Sequence, residues 1–207
     1  MSTPSPTDAG LIRLGPGTAD HRLVLLHGWG ADAHDLLDLG GLLVEPDVSV
    51  VALQAPLPHP GGVGRQWYDL QQPEWPQLPA ARTDLCRRLL ALDADVPLAR
   101  TVLLGFSQGA AMAVDVATGA AGGHCAGLIS CSGYPHPGWQ PQAGNSMPVL
   151  LTHGRQDPVV PYGASEALQQ QLQTTGYQAE LLDFAGGHAI DADLFPALRA
   201  FLNRCWP

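Results

Sequence analysis

RTVLLGFSQGAAMA (100–113) is the stretch that decides the fold. An apolar run, Thr101–Leu104, ends in Gly105-Phe106-Ser107-Gln108-Gly109, and an alanine-rich, helix-forming segment follows at once. A bare G-x-S-x-G is common by chance. With a strand before it and a helix after it, it has the arrangement of a nucleophile elbow. So tight a turn would drive side chains at 105 and 109 into neighbouring backbone, which accounts for the two glycines. It would also lift the Ser107 hydroxyl above the C-terminal edge of a sheet, beside the positive end of a helix. The bland alternative is a serine that merely caps a helix.

Working outward, the same rhythm recurs. Apolar runs lie at 22–27, 48–53, 126–131, 147–153 and 177–184, as well as at 100–106. Most are continuously apolar, as expected of parallel strands covered on both faces. Helical segments are predicted at 33–43, 81–96, 107–119, 163–175 and 191–203. In the second of these Leu85, Leu89, Leu92 and Val96 form one apolar stripe. Alternating strands and helices predict an α/β architecture, with a mostly parallel central sheet and helices on both faces. Residues 1–20 read as a loose lead-in with a short edge strand at Leu11–Leu14, and 21–207 as one domain. Two long connections, 54–80 and 132–146, carry prolines, glycines and aromatics, and read as ordered loops around a site.

Composition narrows the chemistry. The 207 residues carry a net charge of −9, and all ten cations are arginine. With no lysine there is no Schiff-base chemistry and no phosphate-loop lysine. The acidic balance argues against a nucleic-acid partner. The four cysteines are scattered and read as free thiols, and the eight histidines show no metal-ligand spacing. Neither a metal nor any other cofactor is expected. No leader-like segment or bilayer-length apolar run occurs in these residues, so a cytoplasmic protein without stable membrane insertion is expected. Oligomeric state is unreadable.

A hydroxyl needs a general base, and the base an orienting acid. In this type of fold the order is serine, acid, histidine. Asp157 follows the run at 147–153, and His188 follows the last run in Gly186-Gly187-His188. Both sit at strand C-termini on the edge that carries Ser107. Asp183 is an alternative acid, while Asp191 and Asp193 read as capping or first-turn residues of the last helix. His153 and His27 read as packed or supporting residues, and His124 as a surface residue. His59 and His136 lie in loops without a partner signal. Oxyanion donors are expected from the N–H of Gln108 and from the N–H of Trp29, between the glycines of His27-Gly28-Trp29-Gly30. Leu57, Trp67 and Tyr68 are candidates for an apolar acyl wall.

The landmarks LHGWGADAHDL (26–36), QAPLP (54–58), GRQWYDL (64–70), LLGFSQGAAMA (103–113), SCSGY (130–134), LLTHGRQDPVVPY (150–162) and FAGGHAIDADLFPALRAFL (184–202) resemble the phospholipase/carboxylesterase group of α/β-hydrolases. That group includes acyl-protein thioesterases and small bacterial carboxylesterases. The resemblance spans nearly the whole chain after residue 20. It implies a single-domain α/β-hydrolase without a separate lid domain. By the family pattern Ser107 is the nucleophile, Asp157 the acid and His188 the base, with the Trp29 and Gln108 N–H groups holding the oxyanion. The implied substrate is a small ester or an acylated molecule. Two departures stand out: Trp29-Gly30-Ala31 where many relatives have Leu-Gly-Asp, and Gly186 where many have Met. An indole at 29 would narrow or roof the acyl pocket. The competing readings are a non-catalytic binding protein on the same fold and a peptidase or other acyl hydrolase.

Overall fold

Among the described residues seven strands form one sheet, in the spatial order Leu11–Leu14, Ser49–Leu53, Arg22–Leu26, Thr101–Phe106, Gly127–Cys131, Pro148–Gly154 and Gln178–Phe184. The computed structural model describes residues 10–119, 124–143 and 146–206. The strands of this sheet are β1 (Leu11–Leu14), β2 (Arg22–Leu26), β3 (Ser49–Leu53), β6 (Thr101–Phe106), β7 (Gly127–Cys131), β8 (Pro148–Gly154) and β9 (Gln178–Phe184). β1 runs antiparallel to β3 at one edge; every other pairing is parallel. Among the described residues there are five α-helices: α1 (Leu37–Leu43), α2 (Leu78–Leu92), α3 (Gln108–Thr118), α4 (Gly163–Thr174) and α5 (Phe195–Cys205).

The apolar runs lack polar alternation because both faces of the sheet are dry. Leu23, Leu25, Val50, Ala52, Val102, Leu104 and Ile129 pack toward α1 and α5. Their neighbours Val24, Leu26, Val51, Leu53, Leu103 and Leu128 pack toward α2, α3 and α4. Successive side chains on a strand point to opposite faces, so each run feeds both layers.

The elements fall where the sequence predicts them, with shifted ends. The helix expected at 81–96 begins at Leu78, because Pro79 suits the first turn, and ends at Leu92. The buried guanidinium of Arg22 closes it, donating to the Leu92 and Val96 carbonyls at 2.7 Å each and to Thr101 Oγ1 at 2.9 Å. Burial lowers the pKa of Arg22 to about 10, which leaves it charged at neutral pH. The helix expected from 33 starts only at Leu37. The last helix begins at Phe195 after a single 3-10 turn, which Asp191 caps by accepting from the Asp193 N–H. The edge strand expected at Leu11–Leu14 is present, and residues 1–9 of the lead-in lie outside the described residues. The connection 54–80 holds something the sequence did not suggest: a two-stranded antiparallel ribbon of β4 (Leu57–Pro58) and β5 (Arg65–Gln66). Among the described residues, no helix is long and apolar enough to cross a membrane.

Candidate active site

The turn between β6 and α3 forces Ser107 to φ +53°, ψ −118°, a conformation that costs an L-residue roughly 1–3 kcal/mol. The glycines around it are sterically required. A Cβ on Gly109 would come within 2.1 Å of the Leu26 carbonyl oxygen, and one on Gly105 within 2.4 Å of that of Gly109. The Ser107 N–H donates to the Cys131 carbonyl at 2.9 Å, which ties the turn to β7.

Ser107, Asp157 and His188, predicted from three distant segments, converge. His188 Nε2 lies 2.9 Å from Ser107 Oγ, and His188 Nδ1 lies 2.6 Å from Asp157 Oδ2. A carboxylate only accepts, so Nδ1–H donates to Asp157 and the Nε2 lone pair faces the serine hydroxyl. The Asp157 side chain is fully buried. Its Oδ1 accepts from the Val159 and Val160 N–H groups at 2.8 and 2.9 Å. Burial pushes its pKa up, but the hydrogen bonds from His188, Val160 and Val159 outweigh burial and hold it below the usual carboxylate range. His153 is the supporting residue on the same carboxylate: Nε2 donates to the Val160 carbonyl at 2.9 Å and lies 3.3 Å from Asp157 Oδ2. Its Nδ1 is 2.7 Å from Ser165 Oγ. The Phe106 ring stands against the His188 imidazole at 4.8 Å. The alternative acid Asp183 is engaged elsewhere, on Arg155 and on the Tyr162 hydroxyl.

The 27–31 loop lies against the elbow, since a Cβ on Gly28 would sit 3.5 Å from Ser107 Cβ. His27 shapes this loop. Its Nε2 accepts from the Ala55 N–H at 3.1 Å, so its Nδ1–H donates to the Gly28 carbonyl at 2.8 Å. Among the described residues, no protein group takes up the N–H of Trp29 or of Gln108. The Trp29 indole leans onto the β4–β5 ribbon: Nε1 donates to Gln66 Oε1 at 2.8 Å, and the ring meets His59 edge-on at 4.1 Å.

The three acyl-wall candidates take different places. Leu57 is half-buried in the ribbon, whereas Trp67 and Tyr68 are fully buried in the apolar layer of α2, α3 and α4. These two aromatics brace the elbow from below. Gln108 Oε1 accepts from the Trp67 N–H at 2.9 Å, Gln108 Nε2 donates to the Tyr68 carbonyl at 2.7 Å, and Trp67 Nε1 donates to the His27 carbonyl at 2.9 Å. This clamp escaped the sequence reading because its two halves are 40 residues apart.

His136 also differs from its reading as a partnerless loop residue. It is buried, with Nδ1 2.6 Å from Asp115 and Nε2 2.9 Å from the Tyr68 hydroxyl. Tyr68 is joined in turn to the Tyr134 hydroxyl at 2.7 Å. With Nδ1–H donating to the carboxylate, the Tyr68 hydroxyl must donate to Nε2 and accept from Tyr134. His124 is exposed, as expected. Among the described residues, no three His, Cys, Asp or Glu side chains are arranged to hold a metal ion.

The sequence pattern of the phospholipase/carboxylesterase family matches residues 12–206. The chain is 31% identical to esterase PE8, whose crystal structure superimposes with a TM-score of 0.81 over 95% of this chain and 98% of that one. Esterase YpfH of Escherichia coli (strain K12) is 29% identical over 184 residues, covering 84% of this chain and 78% of that protein. Acyl-protein thioesterase 1 of Neurospora crassa is 29% identical over 126 residues, 56% of this chain and 50% of that protein.

Proposed function

The chain belongs to the phospholipase/carboxylesterase family of α/β-hydrolases, and from that premise we propose that it is a serine hydrolase cleaving carboxylic esters or thioesters through an acyl-enzyme. The observation that carries this reading is the unbroken line Ser107 Oγ–His188–Asp157, at 2.9 and 2.6 Å, beside two unengaged N–H groups.

In the first half-reaction His188 Nε2 takes the Ser107 proton as Oγ attacks the substrate carbonyl. The oxyanion is held by the Trp29 and Gln108 N–H groups, each such donor contributing roughly 3–4 kcal/mol to the transition state. The imidazolium then gives its proton to the departing alcohol or thiol as the bond to the carbonyl carbon breaks. In the second half-reaction water gives its proton to His188 and attacks the acyl carbon, and the proton returns to Ser107 as the carboxylic acid leaves. Asp157 fixes the tautomer and steadies the imidazolium. The substrate is a small ester or acylated molecule, handled in the cytoplasm. Leu57 and the Trp29 indole border its acyl group, while Trp67 and Tyr68 hold the oxyanion side rigid.

Hydrolysis of p-nitrophenyl acetate and labelling by a fluorophosphonate probe test the reading. Both are expected in the wild type and absent in Ser107→Ala, with its melting transition nearly unmoved. A wild type that neither turns over nor labels would instead be a binding protein on this fold. A panel of small amides beside the esters separates a peptidase.

A further inference from the structure

Beside the β1 edge of the sheet, a cleft of about 650 Å³ opens between β1, the end of β3 and α2. No triad residue lines it. Its lining includes Arg13, Arg65, Arg87 and Arg88, against the two carboxylates of Asp84 and Asp95. In a chain with net charge −9 and only ten cations, this concavity reverses the local sign.

The arginines fall into two kinds. Arg65 donates from Nε to the Ala55 carbonyl at 3.0 Å and from Nη2 to the Pro56 carbonyl at 2.5 Å. Arg88 donates from Nη1 to the Gln54 carbonyl at 2.7 Å and from Nη2 to the Gly10 carbonyl at 2.5 Å. Carbonyl partners fix a guanidinium in place without cancelling its charge. Each of these two spends two of its five N–H donors in this way, and Asp84 stands 3.8 Å from Arg88. Arg13 and Arg87 instead form solvent-facing pairs, with Asp95 at 3.0 Å and Asp84 at 2.7 Å. Exposed pairs of this kind hold with about 0–1 kcal/mol, so they yield readily to a better anion. Two anchored cations with unspent donors, flanked by two that can swing inward, present a charge of two in a cleft the size of a small-molecule site.

We propose that this cleft binds a small organic dianion, either a phosphate monoester or a dicarboxylate, gripped by Arg65 and Arg88 and closed over by Arg13 and Arg87. The site shares no residue with Ser107, Asp157 and His188.

Calorimetric titration of the full chain carrying Ser107→Ala tests the site without reference to hydrolysis. Glycerol 3-phosphate and succinate are the probes; glycerol and acetate are the controls. Saturable binding of at least one dianion is expected at one site per chain, weakening as salt is raised. The double variant Arg13→Gln/Arg87→Gln touches no backbone carbonyl. It is expected to melt with the parent and to bind at least tenfold more weakly. Arg65→Gln should abolish binding. Absence of saturable binding to both dianions, equal binding of glycerol, or undiminished binding in the double variant would each overturn the site. The ranking of the two dianions identifies the preferred headgroup.

Discussion

Ser107 and Asp157 are built in opposite ways. The serine is held in a strained turn, while the acid lies in a fully satisfied pocket with two backbone donors on one oxygen and His188 on the other. Asp157→Asn keeps the shape but can present an N–H toward Nδ1, which favours the wrong tautomer. On the proposed mechanism kcat for p-nitrophenyl acetate should fall by roughly 10³–10⁴-fold with the melting temperature little changed. Asp183→Asn, at an exposed position of β9, should leave kcat within about twofold, since that position is not part of the proposed mechanism. A deep loss there would move the acid to 183. Gly109→Ala is a steric test. Contact at 2.1 Å with the Leu26 carbonyl cannot be relieved by a rotamer, so this variant should be recovered mainly as unfolded protein in circular dichroism.

Among the elements, α2 shows what its own sequence can and cannot tell. Its stripe of Leu85, Leu89 and Leu92 is local and could be read directly. Its end is set by Arg22, some 70 residues away in sequence, through bonds to Leu92 and Val96. Arg22→Met would leave those carbonyls without partners, and urea titration should show a loss of about 2–5 kcal/mol. The convergence of Ser107, Asp157 and His188 was legible for the same reason as the stripe: each follows an apolar run, and the chain order of strand ends maps onto one edge of a parallel sheet. The Gln108 clamp, the His136–Asp115 pair and the β4–β5 ribbon were not legible. Each depends on which loop the folded sheet brings beneath which helix, and no periodicity within 54–80 or 132–143 encodes that. Aromatics in a loop suggest a lining surface, but the neighbours of Trp67 and Tyr68 in space turn both inward.

For the whole molecule, two buried histidines set the response to acid. Burial holds both His27 and His136 below the usual ~6.5, against the opposing pull of the Gly28 carbonyl on one and Asp115 on the other. The unfolded chain therefore binds protons at higher pH than the native protein does. The corresponding stability is fully present above about pH 6.5 and is lost as pH falls from there toward the folded-state values, at up to about 1.4 kcal/mol per pH unit for each group. The melting temperature should be flat from pH 7 to 8 and fall between 6.5 and 5. His136→Gln should melt lower at pH 8 yet decline less steeply, and an unchanged slope would remove His136 from the account. The sheet itself divides the interior into two dry layers, and Ser107, Asp157 and His188 meet where β6, β8 and β9 end. On the proposed mechanism the reacting groups and the filling of these layers are thus separate sets of positions, and Trp67 and Tyr68 connect the two. A methyl group trimmed from the depth of either layer would therefore be felt first in how firmly the molecule holds together, and only later at the edge where Ser107 and His188 meet.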